Sequence, residues 1–308
     1  MEHTYAASRT LRKEFEQLIT EHRQSLWSYC YKLTGSPWDA EDLLQDTLLK
    51  AFAKLPYLYQ AQQPKPYLFR IASNTWIDQC RKNQRIRYAP EEELLHQSVE
   101  EVPMIDVQHS IDLLCDALPP KQRVVFLLID VFQFQTREVS ELISLSEGAV
   151  RSLLFRARQT LAKLDRKKQM STNKKSPVDQ AIRAAYVHAF NAQDADKIAQ
   201  LLSDQAVMEI IGVTEEYGKE IIRSNSLTDW QKDEEETHGY FDYLDGKAAF
   251  FVYAKDEQGQ AVLLTLQVIE HDQDQILSIK DYYYCPEFIA FVAETTNHSP
   301  KTSGHFWI

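Results

Sequence analysis

The residues of this chain with the clearest functional potential are lysines and arginines on short predicted helices. In LSEGAVRSLLFRARQTLAKL, residues 145–164, apolar side chains recur at spacings of three, four and seven. That spacing predicts one buried helical stripe, made of Val150, Leu153, Leu154, Ala157, Leu161 and Leu164. The opposite face and its flanks carry Arg151, Ser152, Phe155, Arg156, Arg158, Gln159 and Lys163. A cationic face of this kind suits nucleic acid, and a solvated polar face is an equally weighted alternative for this stretch alone.

Two further helices are predicted just before the basic one, from about Lys121 and from about Thr136. The turn at Ser144–Ser146 has the length of a helix-turn-helix, and Ser146 stands where an N-cap belongs. The basic helix then takes the position that enters a DNA major groove. In that position Arg151, Ser152 and Arg156 would reach base edges or phosphates of the DNA. Arg137, on the preceding helix, would lie near the DNA backbone.

The stretch from Leu118 to Leu164 resembles region 4 of a bacterial extracytoplasmic-function (group 4) sigma factor. The resemblance rests on Leu118-Pro119-Pro120, on the helix ending at Leu145, and on the run from Val150 to Arg158. It implies a helix-turn-helix that reads the promoter −35 element through Arg137, Arg151, Ser152 and Arg156.

Two more amphipathic helices are predicted nearer the N-terminus. SPWDAEDLLQDTLLKAFAKLP begins at Ser36-Pro37 or Asp39 and ends by Pro56. Its predicted buried stripe is Leu44, Thr47, Leu48, Ala51, Phe52 and Leu55, and its outer face is Asp42, Leu43, Gln45, Asp46 and Leu49. Apolar side chains in an acidic ring suit a basic partner helix, but a solvated face with stray leucines is the favoured reading of the stretch alone.

The second of these helices, PYLFRIASNTWIDQCRKNQRIR, is cationic and lies next to aromatic residues. Its inward positions are Leu68, Ile71, Ala72, Thr75 and Ile77, and Trp76 or Tyr67 is expected to be largely buried. Cations beside Tyr57, Tyr59, Tyr67 and Trp76 suit single-stranded nucleic acid, where bases stack on rings.

These two helices resemble region 2 of the same sigma family. The resemblance implies that Asp42, Gln45, Asp46 and Leu49 grip the clamp helices of the largest subunit of core RNA polymerase. It also implies that Asn74, Asp78, Arg81 and Lys82, with the loop from Tyr59 to Pro66, open and hold the −10 element. The mechanism implied is binding energy, because flipping a base out of a duplex costs a few kcal/mol that a pocket and stacking must offset.

Charge and composition divide the chain. Its net charge is −11, and the part from Ser176 onward holds 9 Lys and Arg against 23 Asp and Glu, so its charge is −14 and the preceding part is +3. The predicted organisation is region 2 over 1–90, an acidic linker over 91–111, region 4 over 112–168, a linker over 169–176 and a third domain over 177–308.

The third domain is predicted to be α+β. Helices from Pro177 to about Asn191 and from Asp194 to Leu202 precede a short strand, and another helix lies near 218–225. Four strand-length apolar runs follow, over 240–244, 248–254, 261–269 and 276–284, with hairpin turns at Asp245-Gly246 and 257–259. The segment resembles the SnoaL-like branch of the NTF2-like fold, so the fold class is multi-domain: two all-α helical modules followed by an α+β cone.

Nothing in the spacing of residues demands catalysis or a cofactor. Acid/base candidates in the third domain are His188, His238, Tyr240, Asp242, Tyr253 and His271, but none shows a spacing that requires a reaction. No metal is predicted, since Cys30, Cys80, Cys115 and Cys285 lack metal-ligand spacing and are expected to be buried thiols. No apolar run approaches the roughly 18 residues of a membrane span, and the N-terminus lacks an apolar signal segment, so a cytoplasmic location without membrane contact is expected.

Three functions are compatible with these patterns. The favoured one is a non-enzymatic sigma factor that binds core polymerase and promoter DNA. Its third domain is expected to contact the helical modules and to regulate their activity. The sequence does not predict whether that domain binds a small-molecule ligand. The second is an NTF2-like enzyme tethered through its N-terminal half. The third is a helix-turn-helix repressor, which would need no helix for docking onto polymerase.

Overall fold

The computed structural model describes residues 2–54, 64–84, 114–115, 117–164, 180–233, 235–272, 275–296 and 298–301. By its contacts the chain divides into two compact units, Met1–Met170 and Ser171–Ile308. Within the described ranges, no helix combines the length and the apolar character needed to cross a bilayer.

The first unit is built from helices. They are α1 (Glu2–Thr34), α2 (Pro37–Ala53), α3 (Pro64–Gln84), α4 (Pro120–Phe126, which continues as a π-helical turn over Leu127–Val131), α5 (Thr136–Leu142) and α6 (Glu147–Leu164). Pro37 and Pro120 stand in the first turns of α2 and α4, where a missing N–H leaves no hydrogen bond unmade. The predicted helices of this half of the chain are therefore confirmed, with α2 ending three residues before Pro56 and α5 ending three residues before Leu145.

The core of α1, α2 and α3 is apolar with a few paired polar groups. Leu26, Leu33, Leu44 and Leu68 are fully buried. Glu41 is also fully buried, and it accepts a 2.9 Å hydrogen bond from the indole N–H of Trp27. Because an unpaired buried carboxylate is strongly destabilising, this pair fixes α2 against α1.

The second unit combines a sheet with helices. Its elements are α7 (Gln180–Asn191), α8 (Ala195–Leu201), β1 (Leu202–Ile210), β2 (Thr214–Tyr217), α9 (Lys219–Ser224), α10 (Ser226–Lys232), β3 (Thr237–Leu244), β4 (Lys247–Lys255), β5 (Ala261–His271), β6 (Ile276–Asp281), α11 (Pro286–Thr295) and β7 (Ser299–Pro300). The strand order is β2-β1-β6-β5-β4-β3, with β7 beside β5. The pairs from β3 to β6 are antiparallel, whereas β1 runs parallel to β6.

One face of this sheet carries the core under α7 and α8. The Phe250 ring of β4 contacts Tyr186 and Phe190 of α7, with centroids 5.1 and 4.9 Å away. Met208 and Ile279 extend the same buried cluster to β1 and β6. The α+β prediction is confirmed, as is the four-strand meander.

Both predicted hairpin turns occur where they were expected. Asp245 and Gly246 have φ values of 52° and 72°, and Gly259 has a φ of 76°, a conformation that glycine adopts readily and asparagine or aspartate tolerate. The sequence patterns missed β2, α10, α11 and β7. The strand predicted over 276–284 ends at Asp281, and α11 begins at Pro286.

Candidate nucleic-acid interface

Local hydrogen bonds set the helix-turn-helix geometry. The Gln135 backbone N–H donates to the Glu138 carboxylate at 2.7 Å and so completes a capping box at the start of α5. The Ala149 N–H donates to the Ser146 hydroxyl at 3.2 Å, which confirms the predicted N-cap of α6. Val139 of α5 and Val150 of α6 are fully buried, so the two helices are held at a fixed angle around the short turn.

The predicted −35 residues lie mostly exposed. Arg151 and Arg156 are exposed on α6, Ser152 is half-buried, and Arg137 is exposed on α5. Arg151 pairs with Glu147 at 3.5 Å and Arg137 with Glu141 at 3.4 Å. Exposed pairs of this type contribute little to stability, so both guanidinium groups can exchange these partners for phosphate or a base edge.

Arg158 has a different role from the one its position on the helix predicted. Its Nε and Nη2 atoms donate to the Asp130 carboxylate at 2.9 and 2.6 Å. These hydrogen bonds raise the pKa of the Arg158 guanidinium. Arg158, which was predicted on the flank of the cationic face, is half-buried, and the bidentate pair joins α6 to the π-helical turn after α4.

The predicted polymerase-binding face of α2 is partly engaged within the unit. Asp42 is exposed and Leu49 is 67% exposed. Gln45 donates to Glu41 at 2.7 Å, and Asp46 accepts a 3.2 Å hydrogen bond from Gln79 of α3. Leu49 and Asp42 thus present the acidic and apolar surface that was predicted, while Gln45 and Asp46 are half-buried.

Two burial predictions for α2 are wrong. Leu43, expected outward, is fully buried, whereas Phe52, expected inward, is 40% exposed. The contacts of α2 with both α1 and α3 bury a wider arc of the helix than one stripe. Leu55 lies outside the described residues.

The predicted −10 residues form one exposed face of α3. Asn74, Asp78, Arg81 and Lys82 are all exposed, and their spacing of four, seven and eight residues places them on one side of the helix. Arg81 pairs with Asp78 at 3.2 Å. Trp76 is buried, as expected, and Tyr67 is half-buried; Tyr57 and Tyr59 lie outside the described residues.

Arg123 is an important residue that the sequence patterns did not single out. It is 8% exposed, it donates hydrogen bonds to the backbone oxygens of Cys115, Leu33 and Leu118, the last two at 2.5 and 3.3 Å, and it lies 5.0 Å from the Trp76 ring centroid. The feature of the sequence that could have identified Arg123 is its position directly before the apolar run Val124–Leu128. An ionised group at the head of a buried run must be paired.

In the second unit, three of the six acid/base candidates share one open cavity. His238, Tyr240 and Tyr253 line a space of about 320 Å³, which His298 also lines. Burial, with the Tyr240 hydroxyl as the next cause, raises the pKa of Tyr253. His188, Asp242 and His271 are not among the lining residues.

A buried polar network in the same unit was also missed. The Tyr186 hydroxyl donates to Gln267 at 2.8 Å, and Gln267 and Thr265 each donate to Asp281 at 2.7 Å. Burial raises the pKa of Asp281 above its usual range, and these hydrogen bonds oppose that rise. Asp281 begins the segment DYYYC, whose aromatic composition gave no indication that the carboxyl group is buried.

The four cysteines are free thiols. Cys30 and Cys285 are buried free thiols, and Cys80 and Cys115 are half-buried free thiols. Among the described residues, His, Cys, Asp and Glu side chains nowhere gather in a group of three that could hold a metal ion.

Comparisons with known proteins agree with this geometry. Residues 18–86 match the family model Sigma-70 region 2, and residues 108–161 match Sigma-70, region 4. The extracytoplasmic-function RNA polymerase sigma factor SigG of Mycobacterium tuberculosis is 31% identical over 228 residues, which cover 65% of this chain and 62% of SigG. SigJ of the same organism is 26% identical over 248 residues, which cover 70% of this chain and 76% of SigJ.

The similarity to SigJ spans more of the chain than the first unit contains, so it continues into the second unit. A crystal structure of a putative polyketide cyclase from Xanthomonas campestris pv. campestris is similar over 37% of this chain and 95% of its own, at a TM-score of 0.29 and 22% identity.

The two helical modules define the class of protein, because regions 2 and 4 follow each other here in the order of the sigma-70 family. Within that class, the chain belongs to the extracytoplasmic-function sigma factors, as the resemblance in its sequence predicted.

Proposed function

We propose that this protein binds core RNA polymerase and directs it to specific promoters, and that its C-terminal domain regulates that activity. The observation that carries the proposal is the combination, in one compact unit, of a capped helix-turn-helix with exposed arginines and a helix with an exposed acidic and apolar face. A repressor that acts alone needs the first feature but has no use for the second.

In this proposal α6 reads the −35 element. Arg151 lies in the first turns of α6, which is where a recognition helix contacts base edges, and Arg156, which is also exposed, follows five residues later. Ser152 contributes a hydroxyl to phosphate or base, and Arg137 on α5 contacts the backbone. Phosphate contacts fix register, while base contacts give specificity.

Region 2 supplies the other two contacts. Asn74, Asp78, Arg81 and Lys82 of α3 hold the −10 element, in a mechanism that depends on binding energy alone. Asp42 and Leu49, with Gln45 and Asp46 beside them, bind the clamp helices of the largest polymerase subunit. The domain boundaries that go with this assignment are 1–90, 112–168 and 177–308, with linkers between them.

Regulation by the C-terminal domain is supported by charge. The segment from Ser176 onward carries −14 and the preceding part +3. A tethered partner acts at roughly millimolar effective concentration, so weak contacts between the acidic domain and the cationic helical modules are sufficient to change promoter binding.

The proposal is tested by reconstitution of the full-length chain with core polymerase. We expect co-migration on gel filtration and specific initiation from promoters selected from a genomic library. Leu49→Ala should weaken co-migration, and Leu277→Ala, which truncates an exposed leucine of the second unit, is the matched control. Arg156→Ala should reduce promoter affinity by about 1–3 kcal/mol if the side chain reads a base. A wild-type chain that does not bind core polymerase contradicts the proposal.

A further inference from the structure

One face of the sheet in the second unit carries side chains that the proposed function does not use. Phe250 of β4 lies in the core under α7, so the alternation of side chains along the strand directs Phe251 and Tyr253 to the opposite face. In the register of β3 with β4, Tyr240 lies opposite Phe251, and His238 lies opposite Tyr253. These four residues therefore share one face, which we call the outer face of the sheet.

Aromatic rings form a row along the outer face. The Tyr240 ring is nearly parallel to the rings of Phe251 and Tyr253, with centroids 6.3 and 5.4 Å away. The His298 ring, which follows α11, lies 5.0 Å from the Tyr253 centroid. Phe251 and Tyr253 are buried, whereas Tyr240 is 38% exposed. An exposed end of such a row offers ring contacts to another planar molecule.

The cavity of about 320 Å³ described above lies beside this row, since its lining includes His238, Tyr240, Tyr253 and His298. That volume is at the lower end of the range for small-molecule sites and suits a ligand of one or two rings. On the inner face, by contrast, the polar groups of Tyr186, Gln267 and Asp281 already bond to one another. A ligand on the inner face would have to displace those hydrogen bonds.

The Tyr253 hydroxyl is a hydrogen-bond donor at the cavity. It accepts a 3.2 Å hydrogen bond from the Tyr240 hydroxyl, and among the described residues no acceptor takes the proton of Tyr253 itself. Burial raises the pKa of Tyr253, so that proton stays on the oxygen. Tyr253 can therefore donate one hydrogen bond to a ligand.

His298 has the complementary role. The Thr296 hydroxyl donates to the Val292 carbonyl at 2.7 Å, so its oxygen accepts from Nδ1 of His298, which is 3.1 Å away. The neutral imidazole then carries its proton on Nδ1 and keeps Nε2 as an acceptor. One donor and one acceptor thus belong to neighbouring rings of the cavity lining.

The formal charges of the lining cancel. Lys255 and Glu236 both line the cavity and pair with each other at 2.8 Å, and the two histidines are counted as neutral at pH 7. A charged ligand would find no uncompensated partner among these lining residues. A neutral ligand has both the donor and the acceptor available to it.

We infer that this cavity binds a neutral, planar aromatic molecule that carries a hydrogen-bond acceptor next to a donor, as an aromatic lactam does. The ligand's carbonyl accepts from the Tyr253 hydroxyl, its N–H donates to Nε2 of His298, and its rings contact Tyr240. The inference goes beyond the proposed function, which assigns no ligand to the C-terminal domain, and it does not depend on that function.

Binding of 2-quinolone, a fluorescent two-ring lactam, to the full-length chain tests the inference. We expect saturable binding at one site per chain in fluorescence and calorimetric titrations. The matched ligand 1-methyl-2-quinolone keeps the rings and the carbonyl but lacks the N–H, so the wild type should bind it about threefold to tenfold more weakly. The inference is overturned if 2-quinolone shows no saturable binding up to about 1 mM, or if the two lactams bind equally.

Two variants assign the hydrogen bonds. Tyr253→Phe keeps the ring and removes the donor, so it should weaken 2-quinolone binding about threefold to tenfold. In His298→Phe the two lactams should bind equally, because the acceptor for the N–H is gone. The matched controls are Tyr217→Phe and His188→Phe, at exposed positions that do not line the cavity. A Tyr253→Phe variant that binds like wild type, or a His298→Phe variant that still distinguishes the lactams, contradicts the inference.

The comparison of the two lactams uses the unaltered chain, so it decides the inference even if a variant does not fold. Affinity that rises as the protein is diluted would show that a second copy covers the cavity, and this result also contradicts the inference. None of these titrations needs polymerase, so a failure of the proposed function leaves their outcome unaffected.

Discussion

Arginine side chains on a single helix acquire different roles according to what lies opposite them. Arg151 and Arg158 both belong to α6, but Arg151 pairs with an exposed glutamate one turn away, whereas Arg158 makes two hydrogen bonds to the half-buried Asp130. Two charge-assisted hydrogen bonds in fixed geometry contribute more than an exposed pair. Arg158 is therefore a structural residue, and Arg151 remains available for DNA.

We predict that Arg158→Ala lowers the free energy of unfolding of the first unit by about 1–2 kcal/mol, because Asp130 loses both donors. Arg151→Ala should change the same quantity by less than about 0.5 kcal/mol. Urea unfolding monitored by circular dichroism measures both. Equal effects would show that the Asp130 pair is no stronger than a surface contact.

The buried carboxyl of Asp281 predicts a pH dependence of stability. Burial raises its folded-state pKa above the unfolded value of about 3.9. Between these two pKa values the folded state holds a proton that the unfolded state has lost, so this contribution to stability is greatest at low pH and falls as pH rises through the folded pKa.

We therefore expect Asp281→Asn to flatten the fall of the second unit's thermal midpoint as pH rises above about 4. The amide can still accept a hydrogen bond from Gln267 or Thr265, although not from both as the carboxylate does. Asp242→Asn, at an exposed position on β3, is the control. An unchanged profile in Asp281→Asn would mean that other groups produce the slope.

At the scale of elements, two glycines show how the same residue type has opposite effects on stability. Gly148 lies in the first turn of α6, and a Cβ atom there would meet nothing within 4 Å. Gly239 lies within β3, and a Cβ atom there would collide with the Phe250 ring. Asn191 of α7 also exchanges two hydrogen bonds with the Gly239 backbone, at 2.8 and 3.0 Å.

We predict that Gly148→Ala raises the free energy of unfolding by about 0.5–1 kcal/mol, since alanine restricts the unfolded chain and favours the helix. Gly239→Ala should lower it by about 1–3 kcal/mol through overpacking. Calorimetric unfolding of each full-length variant gives the sign. A stabilising Gly239→Ala would contradict the close approach of β3 to Phe250.

At the scale of the whole molecule, the acidic charge lies in one half of the chain. Removal of everything after Lys168 takes away 11 Lys and Arg against 23 Asp and Glu, a charge of −12, and leaves the two helical modules. We predict tighter promoter binding by the truncated protein at low salt and a difference that shrinks as salt rises, because screening weakens repulsion between the acidic domain and DNA. Binding measured at several salt concentrations tests this, and identical affinities and salt slopes would refute regulation by charge.

The sequence by itself determined the helical modules, their family and the α+β class of the second unit. Periodic apolar residues, Pro37, Ser146 and the Asp245-Gly246 turn are local signals, and each acts within a few residues of itself. The same locality explains why the helical pattern correctly placed Asn74, Asp78, Arg81 and Lys82 of α3 and Arg151 and Arg156 of α6 at exposed positions.

Only the tertiary structure decided which polar groups are buried and with what partner. Arg158 meets Asp130, Arg123 meets the end of α1, and Asp281 meets Gln267 through contacts between residues far apart in the chain. A helical pattern states which side of a helix is apolar, but the partner of a charge depends on which element packs against that side. Leu43 is buried rather than exposed for the same reason: α2 packs against two helices at once.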